Sequence, residues 1–356
     1  MIRIKKRADL PKNREWIIRA AAILLSLVFA GIVIAILGFN PVRVFTEIVN
    51  GSIGTQMRLN QTIIRAIPLI ITSMGILVAF KMKFWNIGGE GQIMMGAMGA
   101  AYVALNFSPD LPKLVMLVLM GAAAMICGGL WAFIPAFFKA RFGTNETIFT
   151  LMMNYIAIKW VTYLQFDLWK DEGAMGFPRI AMFPENAVMP RLFGIHIGWM
   201  IAIAAVILVY IFINHTKKGY EITVLGESME TARYAGMNTK AIIIAAMFIS
   251  GGLCGLTGMV QVSAIERTLT YSVSAGVGFT AIITTWLGRL SAPAIAVVCF
   301  IFAMLLQGGT YLQIALSVPA AVAEVIQGII LFFVLGSEFF LQYKVSFYRR
   351  IKKEVA

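Results

Sequence analysis

The chain has 356 residues, 60% of them hydrophobic and only 13% charged, with a formal net charge of +13. Soluble domains carry about 25% charged residues, so this composition argues against a soluble enzyme and requires several membrane spans. It argues against a nucleic-acid partner too: the basic residues sit at the chain ends and in short loops between apolar runs, as a positive-inside bias does.

In chain order, a basic stretch, MIRIKKRADLPKNREW, precedes about 22 apolar residues. That run is too long for a signal peptide, and a retained first span is expected. Ten membrane segments follow from the apolar runs, at 17–38, 63–80, 90–106, 114–137, 147–165, 195–213, 240–262, 276–288, 292–307 and 319–337. A span needs about 20 residues, and the third and eighth segments fall short, as broken helices around a pathway do. The fold class is therefore an all-α polytopic membrane protein with broken or re-entrant helices. Residues 17–338 form the membrane domain, between an N-terminal tail at 1–16 and a basic C-terminal tail at 339–356. Placing the N-terminus in the cytoplasm puts 21 Lys and Arg inside and eight outside, which predicts two cytoplasmic termini. The 165–194 loop, with three prolines and mixed charge, is expected as a structured outer cap, and 214–240 is the largest inner loop.

The stretch FWNIGGEGQIMMGAMGA, from Phe84, places three glycines within four positions beside Glu90. Two readings stay open. In the structural one, Asn86 caps a short helix and Glu90 stabilises its positive end. In the functional one, Glu90 and Gln92 bind a polar solute or form a gate. Asn145 and Glu146 open the fifth segment as cap and first-turn acid. Glu324 lies inside the tenth segment, either paired with a buried donor such as Lys159 or lining a wet cavity. Phe279 and Trp286 either stack a solute ring or take core or lipid-facing positions. The methionines are expected in packing. Cys127, Cys254 and Cys299 lie in apolar runs without metal or redox spacing, and His196 and His215 stand far apart, so no metal or cofactor is expected.

In the inner loop, GESMETARYAG reads as a short helix. Ser228 caps it, Glu230 suits its first turn and Gly236 stops it. So short a helix needs a packing partner. It is either an interfacial helix or a docking helix, with Ala232 and Ala235 allowing close approach and Arg233 and Tyr234 as anchors.

Four stretches, in order, resemble the permease subunits of bacterial ATP-binding-cassette importers for simple sugars, branched-chain amino acids and, nearest, nucleosides. They are FWNIGGEGQIMMGA, GTNETIFTLMMNYIA, VLGESMETARYAGMN and GVGFTAIITTWLGRLSAP, spanning 84–293. The resemblance implies a permease fold in the cytoplasmic membrane, a second permease subunit of the same or a related chain, an ATPase dimer and an extracytoplasmic solute-binding protein. It assigns ATPase coupling to Gly226, Glu227, Ser228, Ala232, Arg233, Tyr234, Ala235 and Gly236. It draws Asn154 into the pathway candidates, with Asn86, Glu90, Gln92, Asn145, Glu146, Phe279, Thr284, Thr285, Trp286 and Glu324. The chain departs from the family at Ser228 and Met229, usually Asn-Pro, at Thr284, Thr285 and Trp286, usually small and apolar, and at the extra Trp85. It holds no Gly-x4-Gly-Lys-Ser/Thr loop to cradle phosphates, so ATP hydrolysis is expected in a partner, not here. The expected cargo is a nucleoside, then a simple sugar. The rival expectation is an ion-coupled secondary transporter using Glu90, Glu146 or Glu324 as carrier.

Overall fold

The computed structural model describes residues 2–6, 12–174, 176, 178–317, 325, 328–329, 332–333, 336 and 343–347. The chain divides into two units, one of residues 1–58 and 304–356, the other of 59–303.

In the larger unit, helices α3 (Gln56–Lys81), α4 (Gly89–Asn106), α5 (Lys113–Phe142), α6 (Glu146–Tyr163) and α7 (Gly198–His215) precede two short ones, α8 (Lys217–Glu227) and α9 (Met229–Tyr234). Then come α10 (Thr239–Gln261), α11 (Val277–Leu287) and α12 (Ala292–Ala315), which passes into the smaller unit at residue 304. Among the described residues, α3, α5, α7, α10 with its following π turn, and α12 are long and apolar enough to cross a membrane. The other expected segments α4, α6 and α11 are shorter or more polar, and the tenth, 319–337, lies outside the described residues apart from isolated positions.

Helix α4 is almost wholly buried. It packs against α5 and α10 through small residues: a Cβ on Gly96 or Gly128 would collide with Gly255 of α10, and one on Gly251 with the Gly128 carbonyl. Lipid offers no hydrophobic drive for helix association, so close backbone approach supplies the packing. Met94, Met116, Met120 and Met259 fill the surrounding core, as expected of them. The three cysteines are free, Cys254 and Cys299 buried in packing.

The 165–194 loop is ordered by contacts with the chain after α10. Phe183 N donates to Arg267 O, Met189 N to Ser263 O, and Ser263 Oγ to Ala187 O at 2.6 Å. A two-residue hairpin, β2 (Arg191–Leu192) with β3 (Ile195–His196), closes it.

In the smaller unit, α1 (Lys12–Ile36) turns through 114° into α2 (Pro41–Ile53). Asn40 accepts from Val42 N and Arg43 N at 3.0 and 3.2 Å, and Pro41 fits the first turn, where its missing N–H costs nothing. Arg58 lies 4.1 Å from the Tyr311 ring centre and donates to its hydroxyl. Strands β1 (Ile2–Lys6) and β4 (Tyr343–Phe347) pair antiparallel, joining residues of the two tails. Helix α2 was not expected: its polar face, with Arg43, Glu47 and Asn50, breaks the apolar run.

Candidate functional site

Between α3 and α4 the chain makes an elbow. Lys83 takes a left-handed conformation, φ 57°, and turns the backbone back after α3. Asn86 is fully buried there. Its Oδ1 accepts from Gly88 N and Gln92 Nε2, both at 3.0 Å, while its Nδ2 donates to Gln92 Oε1 and Ser250 Oγ, both at 3.1 Å. The expectation that Asn86 caps α4 is corrected here. The cap residue is Gly88, with no side-chain bond, because the turn aims the Asn86 amide at Gln92 and α10.

The α4 entrance is instead capped from α6. Asn154 Oδ1 accepts from Gly91 N and its Nδ2 donates to Ile87 O, both at 2.8 Å. Thr150, one helical turn earlier, accepts from Ile87 N. Asn145 caps α6 itself, accepting from Thr147 N and Ile148 N, and Glu146 in its first turn pairs with Lys139 Nζ at 2.7 Å.

Glu90 sits in the first turn of α4, yet both its oxygens serve another helix. Oε1 accepts from Gly276 N and Oε2 from Gly278 N, each at 2.7 Å. This carboxylate holds the positive end of α11, which has no acid in its own first turn. Farther along α11, Thr284 Oγ1 meets Ser73 Oγ at 2.8 Å, and Thr285 Oγ1 donates to Ala281 O and Ser73 O. Trp286 stacks on Trp85 with ring centres 5.3 Å apart and lies against Phe80. Phe279 is exposed. Glu324 lies outside the described residues, and Lys159 is exposed on α6.

The structure thus gathers Asn86, Glu90, Gln92 and Asn154 into one buried network, with Thr284, Thr285 and Trp286 along the helix it holds. Asn145 and Glu146 stand at the start of α6 and Phe279 outside the network. Ser73, Thr150, Ser250, Gly276 and Gly278 were missed. Of these only Thr150 carried a local signal, lying four residues before Asn154 on one face of α6.

The 214–240 loop contains two helices where one was expected. Thr216 caps α8, accepting from Gly219 N. Ser228 caps α9, accepting from Thr231 N at 3.2 Å, and Gly236 follows with φ +72°. Gly226 packs so tightly on the Lys81 carbonyl that a Cβ would collide with it. A cleft of about 280 Å³ adjoins this contact, lined by Met82, Lys83 and Phe84 of the elbow and by Glu227 and Met229. Ala232 is fully buried, whereas Arg233, Ala235 and Gly236 are exposed and Tyr234 is 94% exposed.

Long apolar helices packed through glycine around a buried 18-residue helix with a polar entrance make a multi-pass membrane protein. The profile of the BPD_transp_2 family, described as branched-chain amino acid transport system / permease component, matches residues 58–335, and the chain belongs to that family. It is a permease subunit of an ATP-binding-cassette importer. It is 32% identical over 337 residues to the glucose ABC transporter permease protein TsgB13 of Haloferax volcanii, covering 91% of this chain and 88% of that one. It is 30% identical to the guanosine ABC transporter permease protein NupP of Bacillus subtilis (89% and 92% covered) and 28% identical to the nucleoside ABC transporter permease protein NupB of Lactococcus lactis (91% and 91%).

Proposed function

We propose that this chain lines the import pathway for a nucleoside, with a simple sugar as the second candidate cargo, in the bacterial cytoplasmic membrane. An ATPase dimer docks on 214–240, a solute-binding protein docks near 165–194, and a second permease chain, the same or related, completes the pathway. Residues 17–338 are the permease domain and both termini are cytoplasmic. Two of the three relatives above are named for nucleosides or guanosine and one for glucose, which supports the choice of cargo. The pairing of β1 with β4 supports two termini on one side.

The observation that carries the ATPase reading is α9. It has six residues, is fixed to its own protein by buried Ala232, and presents Tyr234 94% exposed beside Arg233. A helix this short persists only when packed, and an exposed tyrosine beside an arginine is the composition of an interface anchor. The remaining assignments in the proposal are Gly226, Glu227, Ser228, Ala235 and Gly236 as the rest of the docking surface, and the Glu90 network as part of the pathway wall.

The test is a pull-down of the tagged permease with its ATPase, paired with ATP hydrolysis in vesicles in response to binding protein loaded with guanosine, adenosine, uridine or glucose. Tyr234→Ala with Arg233→Glu should leave the permease inserted and cut ATPase recovery at least tenfold. Full recovery would overturn the docking reading. Stimulation by glucose alone would overturn the nucleoside assignment.

A further inference from the structure

Helix α11 is unlike its neighbours. It has 11 residues, about 16 Å at 1.5 Å per residue, and left-handed backbone brackets both its ends. Ala275 and Gly276 precede it at φ 46° and 76°, and Arg289 and Leu290 follow it at φ 54° each. A rigid segment between two such turns has a joint at either end.

The elbow grips α11 near both joints. At the first, Glu90 takes the N–H groups of Gly276 and Gly278. At the second, Trp85 stacks on Trp286. The elbow is itself stiff, because Asn86 and Gln92 exchange two hydrogen bonds and Asn154 holds both Ile87 and Gly91. Its other face meets the 214–240 loop, where Gly226 rests on the Lys81 carbonyl and Met82. One stiff element therefore touches both the proposed ATPase-docking loop and the jointed helix.

We infer that the elbow, residues 82–91, carries movement of the 214–240 loop to α11, with Glu90, Trp85 and Trp286 as the positioning residues that make α11 follow. The inference rests on the ATPase-docking reading of that loop. On ATP binding, α11 swings on its joints with the elbow and the 214–240 loop, the first turn of α4 tilting with them, while the N-terminal half of α5 stays with the body of the unit. A gate moved in this way needs no acid that binds solute: the Glu90 carboxylate is used up in holding α11.

Spin labels test this in the assembled transporter without reference to the cargo. One pair joins position 220 of α8 to 279 of α11, and a second joins 279 to 119 of α5, all three side chains being exposed. Adding ATP should leave the first distance unchanged and shift the second by at least about 2 Å, the scale of helix shifts in switching proteins. In Glu90→Gln, the amide nitrogen faces one of the two backbone N–H groups, donor against donor. Position 279 should then stay with α5 while 220 still moves. Trp286→Leu, which removes the second grip and keeps the carboxylate, should reduce the shift of 279 at least twofold. If the 279–119 distance is unchanged by ATP in the wild-type complex, or the full shift survives in both variants, the inference is overturned. An ATPase that fails to co-purify overturns the docking reading, and this inference with it.

Discussion

Helices α9 and α4 both start beside the elbow contact, and they satisfy their first N–H groups from opposite sources. Helix α9 draws on Ser228, the residue before it. Helix α4 begins at glycine and draws on Asn154, 63 positions away on α6. The first helix is exposed along most of its length and the second almost entirely buried. Water can serve an exposed helix end that lacks its cap. At a buried end each unpaired group bears its full desolvation cost, so the partner must be supplied by the fold. Helix α9 is held by its own cap and one buried alanine, whereas the entrance of α4 is held by α6 and α10 and in turn holds α11.

The same comparison divides what is legible in the sequence from what is not. Ser228, Gly236 and Asn145 act within three or four residues of themselves, and local capping rules find them. Glu90 and Asn154 stand out as polar residues in apolar surroundings, but their partners are Gly276 N, Gly278 N and Gly91 N. A backbone N–H leaves no mark in a sequence, so the polar residues could be singled out and their bonds could not. Hydropathy likewise finds the long apolar helices. It passes over α2, whose polar face interrupts the run, and the β1–β4 pair, whose strands are separated by more than three hundred residues.

The largest effect is expected from Asn154→Ala. It leaves Gly91 N buried without a partner, at about 1–3 kcal/mol, and removes the donor to the half-buried Ile87 O. Thermal unfolding in detergent should show a lower midpoint and a poorer yield of folded protein. A midpoint equal to wild type would mean that α4 does not depend on α6 for its cap.

Gly226→Ala comes next. Its added methyl meets the Lys81 carbonyl, and overpacking of this kind costs about 1–3 kcal/mol. Relief requires α8 to shift away from the elbow. The expected result is weaker ATPase recovery together with a modestly lower unfolding midpoint. Unchanged recovery would show that the contact yields without disturbing the docking loop.

Ser228→Ala is the counterpart of Asn154→Ala at the exposed entrance. An N-cap is worth about 1 kcal/mol. Because α9 is a local element, that loss should appear as about a fivefold weaker affinity for the ATPase, with the unfolding midpoint of the permease unmoved. A fall in midpoint as large as that of Asn154→Ala would erase the distinction between the two entrances.

The smallest effect is expected at His196, a buried polar group that neither source serves. Both ring nitrogens are without a partner among the described residues, and the residue is 1% exposed in the hairpin that closes the 165–194 loop. Burial, reinforced by the charge of Arg191 across the hairpin, pushes the imidazole from 6.5 down to about 4. The folded loop therefore holds a neutral ring where the unfolded chain binds a proton, so stability rises with pH across that interval. It is complete above about pH 6.5 and declines as the pH falls towards the folded value. Hydrogen exchange of residues 183–197, followed from pH 7.5 to 4.5 and corrected for intrinsic rates, should show the hairpin opening more often at the acid end. His196→Leu should flatten that dependence while leaving protection at Asn154 and Gly91 unaltered. A variant whose exchange tracks the wild type at every pH would assign the acid sensitivity of the loop to its carboxylates, such as Asp171, which lies 3.8 Å from Arg179.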